Sequence, residues 1–327
     1  MSIRRAKAAI KKFKKFLITS HINPEGDAIG SQVAMAYLLK KLGKESVMLD
    51  DSPVPNLLRF MKGTEDISKE MPQDFNFQAV IILDSPDMAR IGRVSGYIKK
   101  DSVIINIDHH ISNVNFGKFN WVEPDFSSTG EMVYDLFKAF KVKIDLDDAT
   151  ALYAAIMTDT GSFRYSNTSS KIHHIVAELI DIGVKPYEMH SRIYETSSIE
   201  DTNLLGESLQ TMKLTEDRKI AWLWVTKDML KKTKASLEGT EGIINFARSI
   251  GGVEIAILFR ETGTDEKVKV SFRSKGKADV NKLAASFGGG GHPTASGCTV
   301  LGKLEDVEKK VLEKAKEMAS IDETLKG

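Results

Sequence analysis

The chain has 327 residues, with 46 Lys and Arg against 45 Asp and Glu, a formal net charge of +1. That length suits about two domains, each able to bury its own core, and 42% hydrophobic with 28% charged residues is the balance of a soluble globular protein. Near-neutrality argues against a protein that coats long nucleic acid, which needs surplus cations to pair phosphates. No run nears the roughly 18 apolar residues of a membrane helix, and the single cysteine, Cys298, excludes an internal disulfide and fits a reducing cytoplasm.

Ile3, Ile10, Phe13 and Leu17 recur at helical spacing among Arg4, Arg5, Lys7, Lys11, Lys12, Lys14 and Lys15. They predict a short amphipathic helix with a solvated basic face, and there is no apolar core of a signal peptide. Residues 16–20 read as a buried strand, 27–42 as a helix stopped by Gly43, and 46–50 as a second strand. The apolar runs 79–83 and 103–107 predict two more strands. Strands separated by helices imply an α/β fold, with a mainly parallel sheet covered on both faces. Helices are expected at 127–140, at 147–157, and at 168–182 with Thr168 as cap and Gly183 as stop.

The pattern changes near Pro186. Residues 1–185 form one expected domain, 186–208 a polar helical connector, and 209–327 a smaller C-terminal α/β domain. The latter should hold strands near 209–214 and 219–225, with Trp222 and Trp224 on one face, and a helix at 239–250. A hairpin of 253–260 and 267–273 follows, joined by Thr262-Gly263-Thr264-Asp265. Then come a short helix, a glycine-rich loop, a strand near 295–300 and a last helix at 304–318.

The acids and histidines sit at strand ends. His21, Glu25 and Asp27 follow the first strand, Asp84 ends the 79–83 run, and Asp108, His109 and His110 end the next. Asp159 lies at the end of an Ala-rich helix. In an open α/β sheet, ligands bind beyond the carboxyl ends of the strands. Singly, His21 would serve as a structural histidine, Asp84 as a cap, and Glu25 and Asp27 as helix N-terminal acids. Together they would repel one another unless a cation offset them. Mixed imidazole and carboxylate donors suit a transition metal such as Mn²⁺, and the supply is enough for two ions that activate water and stabilise an in-line phosphoryl transition state. His173, His174 and His190 fall inside helical patterns and receive no metal role.

In the second domain, Gly288-Gly289-Gly290-Gly291-His292 would let backbone amides approach an anion closely. Arg260 and the stretch Ser271-Phe272-Arg273 end the hairpin strands. Arginine pairs well with phosphate.

These motifs resemble the DHH/DHHA1 phosphoesterase family. Asp108-His109-His110 is the naming triad, and His21-x-x-Pro24-x-x-Asp27 resembles the first motif. Asp84 and Asp159 match two further acidic motifs, and Gly288 to His292 resembles the DHHA1 signature. The resemblance implies an N-terminal DHH domain and a C-terminal DHHA1 domain. It also implies two divalent ions, Mn²⁺ by preference with Mg²⁺ or Co²⁺ as alternatives. His21, Glu25 and Asp84 would hold one; Asp27, Asp84, His109 and Asp159 the other, with Asp84 bridging. Asp108 would be a ligand or an orienter of the histidines, and His110 would face the substrate phosphate. Arg260, Ser271, Arg273, Gly289, Gly290, Gly291 and His292 would grip substrate. The family usually has Asp where this chain has Glu25, one methylene longer.

Within the family, the compact layout and the stretches 23–31 and 158–165 are similar to the oligoribonuclease/3′-phosphoadenosine-5′-phosphate phosphatase branch. The expected activity is hydrolysis of short RNA or DNA oligonucleotides and of 3′-phosphoadenosine-5′-phosphate in the cytoplasm. No membrane partner is expected, and a homodimer stays open. The alternatives are a dinucleotide phosphodiesterase acting on pApA or cyclic di-AMP, and a non-catalytic nucleotide-binding regulator.

Overall fold

The computed structural model describes residues 3–240, 242–263 and 266–324. The chain divides into two units, 1–196 and 197–327.

The first unit holds α1 (Ile3–Lys12), β1 (Lys15–Thr19), α2 (Gly26–Lys41), β2 (Glu45–Leu49), β3 (Ile67–Ser68), β4 (Ala79–Leu83), β5 (Ile104–Asp108), β6 (Phe119–Val122), α3 (Thr129–Phe140), α4 (Leu146–Asp159), α5 (Ser170–Ile182) and α6 (Pro186–Tyr194). The strands form one six-stranded sheet in the order β3-β2-β1-β4-β5-β6, parallel throughout. The order reverses between β1 and β4. Such a switch point opens a crevice at the carboxyl ends of the two strands. His21 follows β1 and Asp84 follows β4, so the crevice is flanked by two of the expected ligands.

The sheet is two-sided because the strands are apolar at successive positions. Phe16, Ile18, Ile81, Ile105 and Ile107 pack into the core under the helices. Leu17, Leu49, Val80 and Ile82 pack on the other face with Ile91 and Val94. That second face is covered by a 3-10 segment, Ala89–Tyr97, rather than by α-helices. β6 escapes the sequence pattern because Phe-Asn-Trp-Val sits on the sheet edge and only Trp121 is buried. The cap of α5 is Ser169, not Thr168: its hydroxyl accepts the Ile172 amide.

The second unit holds α7 (Ile199–Gln210), β7 (Lys213–Leu214), β8 (Ile220–Val225), α8 (Lys227–Thr233), α9 (Ile243–Ser249), β9 (Ile255–Glu261), β10 (Lys267–Ser274), α10 (Val280–Ala285), β11 (Gly290–His292), β12 (Ala295–Leu301) and α11 (Leu304–Thr324). Its sheet runs β11-β12-β10-β9-β8-β7; β8 and β9 are parallel and the other pairs antiparallel. One face buries Ile257, Phe259, Val270 and Phe272 with α10 and α11, and the other buries Leu223 and Leu258 with Ile243 and Ala247 of α9. The expected strand at 209–214 shrinks to Lys213–Leu214, because α7 continues to Gln210. The expected connector, 186–208, holds α6, which lies in the first unit, and most of α7, which lies wholly in the second. Thr264 and Asp265 of the hairpin loop lie outside the described residues.

Candidate metal centre

The centre is built from the ends of three strands and two helices. Asp27 stands in the first turn of α2, buried, and its carboxylate spans the start of α3. Oδ2 accepts the Thr129 amide at 2.7 Å, and Oδ1 accepts the Gly130 amide at 2.8 Å and the Ser31 hydroxyl at 3.0 Å. Helix N-terminal amides are unsatisfied donors with a favourable dipole, so they orient this carboxylate firmly. Ser128 caps the same helix end by accepting the Glu131 amide.

Glycines bring α2 against α4. A Cβ at Gly30 would lie 2.5 Å from the Ala151 carbonyl, and one at Gly26 would lie 2.4 Å from the Thr158 side chain. The close approach carries Asp159, the last residue of α4, toward Asp27.

His109 gathers the acids. Its Nε2 lies 3.7 Å from Asp27 Oδ2, 3.5 Å from Asp84 Oδ1 and 3.4 Å from Asp159 Oδ2. Asp84 presents its other oxygen, Oδ2, to His21 Nε2 at 3.4 Å. The His21 Nδ1 donates to the Ile22 carbonyl at 2.8 Å, so Nε2 is the nitrogen that faces Asp84 and that an ion would take once its proton is gone. Asp84 itself sits at φ +53°, a left-handed conformation costly for a non-glycine residue at a strand end.

The electrostatics show what the cluster lacks. Burial, then repulsion from Asp84 and Asp159, pushes Asp27 well above the carboxylate range. Burial, with Asp84 and Glu25 repelling and His109 opposing, lifts Asp159 to about 7. Burial works against a charged His21, yet the Asp84 carboxylate outweighs it and lifts the imidazole to about 9. For His109, Asp159, Asp84 and Asp27 likewise outweigh burial and raise it. Burial raises Asp84, but His109 and His21 together hold it well below the usual range. Protons on imidazole thus stand where a cation would otherwise offset the carboxylates. A donor set of imidazole Nε2 and crowded carboxylate oxygens fits a divalent transition ion.

Asp108 has a different environment. It is fully buried. Oδ1 accepts from His110 Nδ1 at 2.7 Å, and Oδ2 accepts from Asn113 Nδ2 at 2.6 Å. Both oxygens are therefore engaged in orienting neighbours, and this favours the orienter role over the ligand role. Asp84, Asp108 and His110 nevertheless have donor atoms within 4.8 Å of one another. Glu25 is the exposed N-cap of α2 and makes no side-chain cap bond, but its charge acts on both His21 and Asp159. Asn113, Thr129 and Gly130 carry functions that the sequence pattern did not reveal. Thr129 Oγ1 also donates to Asp84 Oδ1 at 3.2 Å. A Ser-Thr-Gly-Glu run reads as a helix start, which it is; that its amides hold a carboxylate 102 residues away has no local signal.

In the second unit, strand register sorts the expected substrate residues. His292 pairs with Ala295, which pairs with Arg273. Gly290 pairs with Gly297, which pairs with Ser271. Directly paired residues share a face, so His292, Arg273 and Ser271 occupy adjoining rows of one face. Arg260 pairs instead with Lys269, at the other end of the hairpin, roughly 13 Å along the strand from the Arg273 row at ~3.3 Å per residue. The glycine run is not a free loop. Gly290 and Gly291 lie in edge strand β11, and a Cβ at Gly289 or Gly291 would strike the carbonyls of Gly297 and Ala295 at 2.2 and 2.6 Å.

Residues 15–156 match the DHH family N-terminal domain and residues 229–320 the DHHA1 domain. The chain is 33% identical over 301 residues to the bifunctional oligoribonuclease and PAP phosphatase NrnA of Thermus thermophilus, covering 92% of this chain and 89% of the relative. It belongs to the DHH/DHHA1 family. The Bacillus subtilis protein of the same description is 29% identical, with 89% and 91% covered. The crystal structure of an exopolyphosphatase-related protein from Bacteroides fragilis superposes with a TM-score of 0.90 at 30% identity, covering 100% of this chain and 98% of that one. The two motif-bearing regions anticipated as DHH and DHHA1 are thus those of the family. No helix among the described residues is long and apolar enough to cross a membrane.

Proposed function

We propose that the chain is a metal-dependent phosphoesterase that hydrolyses short oligoribonucleotides and the 3′-phosphate of 3′-phosphoadenosine-5′-phosphate in a reducing cytoplasm. The observation that carries this is the division of Asp84: one oxygen faces His109 with Asp27 and Asp159, the other faces His21. That geometry supports two ion positions sharing one carboxylate. Asp27, Asp84, His109 and Asp159 would hold one ion, and His21 and Asp84 the other, with Glu25 free to swing in from its exposed position. Two divalent ions, Mn²⁺ by the donor set, would supply charge to acidify water and to offset the phosphoryl oxygens.

The chain's own residues set the rest. Asp108 holds the Nδ1 proton of His110, leaving His110 Nε2 for the substrate side. In the second unit, Ser271, Arg273, His292 and the backbone of Gly289 to Gly291 would bind the far phosphate, with Arg260 at a separate point on the same sheet. Descriptions of the Thermus and Bacillus relatives support the substrate class.

The test is nucleotide release from di- to pentanucleotide RNA, and phosphate release from 3′-phosphoadenosine-5′-phosphate, in Mn²⁺ or with chelator. Turnover of both in Mn²⁺ is expected. No metal-dependent turnover of either overturns the proposal, and tight nucleotide binding without turnover would leave a regulator.

A further inference from the structure

Immediately after Asp159 the backbone takes a rare course. Gly161, Ser162 and Phe163 follow one another in the left-handed region, at φ of 56°, 60° and 64°. Two of the three are not glycine, and consecutive left-handed residues with a Cβ are disfavoured. The surroundings over-determine the turn. The Thr160 carbonyl accepts the amides of Arg164 and Tyr165, both at 3.0 Å, and the Thr160 hydroxyl accepts the Phe163 amide at 3.2 Å. The Ser162 amide donates to the Met157 carbonyl at 2.7 Å. Asn167 Nδ2 reaches both the Asp159 carbonyl at 3.1 Å and the Ser127 carbonyl at 2.9 Å, tying the turn to the residues that begin α3. The Tyr165 ring lies over Gly161, where a Cβ would come within 2.2 Å of it.

Strain maintained in this way next to a ligand residue points to something the turn must present. What it presents is Arg164. The residue is exposed, and its Nε donates to the Gly161 carbonyl at 2.8 Å, which fixes the plane of the guanidinium. Tyr194 at the end of α6 lies within electrostatic reach of the turn. Burial and then Tyr165 push its phenol up to about 12, Arg164 opposes, and Glu25 and Asp159 add to the rise. Guanidinium, phenol and the Asp159 carboxylate therefore share one electrostatic neighbourhood within the first unit.

We propose that Arg164 is a phosphate-binding residue of the first unit, taking an oxygen of a nucleotide phosphate on the Asp159 side of the acidic cluster. An anionic substrate approaching Asp27, Asp84 and Asp159 meets repulsion from any carboxylate that metal does not offset. A fixed guanidinium counters it and matches phosphate geometry with its two remaining nitrogens. The inference rests on the phosphoesterase reading.

The test compares Arg164→Ala and Arg164→Lys with the wild type in Mn²⁺, using 3′-phosphoadenosine-5′-phosphate and the dinucleotide pApA. Loss of a hydrogen bond to a charged group predicts a KM higher by about tenfold or more for Arg164→Ala. Its kcat should stay within about threefold and its Mn²⁺ affinity should not change, and Arg164→Lys should fall between. An unchanged KM overturns the proposal. So does a joint loss of kcat and thermal stability at unchanged KM, which would mark Arg164 as merely closing the turn. If the wild type itself turns over neither compound, the phosphoesterase reading has failed. The comparison then moves to equilibrium binding of pApA, where an unchanged Kd in Arg164→Ala overturns the Arg164 assignment independently.

Discussion

Oδ1 of Asp27 accepts the amide of Gly130 at 2.8 Å, so a helix N-terminus and a prospective metal ligand are fixed by the same contact. The contact exists because residue 130 has no side chain. A Cβ there would lie 2.4 Å from the Ala155 Cβ and 3.3 Å from Asp27 Oδ1.

Gly130→Ala should therefore destabilise the protein, although alanine is the better helix former by about 1 kcal/mol. Overpacking of this kind costs ~1–3 kcal/mol, readable by urea denaturation. Metal affinity should fall with it as α3 is pushed from Asp27. Adding Ala155→Gly should restore both. A single variant as stable as the wild type would show that the helices have room to separate.

Asp159→Asn addresses the charge imbalance. In the folded, metal-free protein Asp159 is raised from the ordinary 3.8 to about 7, because burial and neighbouring carboxylates oppose its ionisation. Without metal at pH 8, the asparagine variant should melt no lower than the wild type. With Mn²⁺, the wild type should gain more: a ligand at 100 times its Kd adds about 2.7 kcal/mol, and a variant that binds weakly gains little of it. Thermal melts in chelator and in Mn²⁺ give both comparisons. A variant that gains as much as the wild type would remove Asp159 from the ligand set.

Stability of the metal-free protein should fall as pH rises from about 4 to about 9. Asp159 and Asp50 are both raised to about 7, chiefly by burial. Asp50 lies at the end of β2, where it accepts the Ser20 amide at 3.1 Å. A raised folded-state pKa contributes stability that is complete below the unfolded value, here 3.8, and lost as pH passes the folded one. His21 extends the loss from 6.5 to about 9 by the same sign. Asp84 is depressed, so its contribution is lost only below 3.8, outside this window. Metal needs the deprotonated ligands, so its affinity should rise over the range in which metal-free stability falls. Melting temperature against pH, with chelator and with Mn²⁺, should give diverging curves; parallel curves would contradict the linkage.

Much of this was legible in the chain because strands and acids are adjacent. Apolar runs ending in Asp84 and in Asp108-His109-His110 announce together a parallel sheet and the edge where its acids and histidines gather. What the sequence hides is contact at long range. Nothing local marks Thr129 and Gly130 as the seat of Asp27, or Gly26 and Gly30 as the reason α4 reaches the site. Glu25 is a case between the two: its motif spacing sets it where its charge acts on His21 and Asp159, while the helix start leaves its side chain exposed. Arg260 and Arg273 each end a strand, and in an antiparallel hairpin two such ends lie apart.

Asp108→Asn and His109→Ala should fail in different ways. His109 Nε2 faces three carboxylates, so its removal should abolish tight metal binding and activity together. Asp108 spends one oxygen on His110 Nδ1 and the other on Asn113. An amide at 108 puts an N–H against one of these donors, and the repulsion is relieved if His110 moves its proton to Nε2. The wrong tautomer then faces the substrate. A comparable exchange of orienting Asp for Asn in a Ser-His-Asp triad lowers kcat about 10⁴-fold, and outer partners of metal sites are worth ~10–100-fold. Asp108→Asn should therefore lose at least about 10²-fold in kcat while its Mn²⁺ affinity stays near that of the wild type. Calorimetric titration of metal beside steady-state kinetics separates the outcomes. A matching collapse of metal affinity would make Asp108 a ligand instead of an orienter.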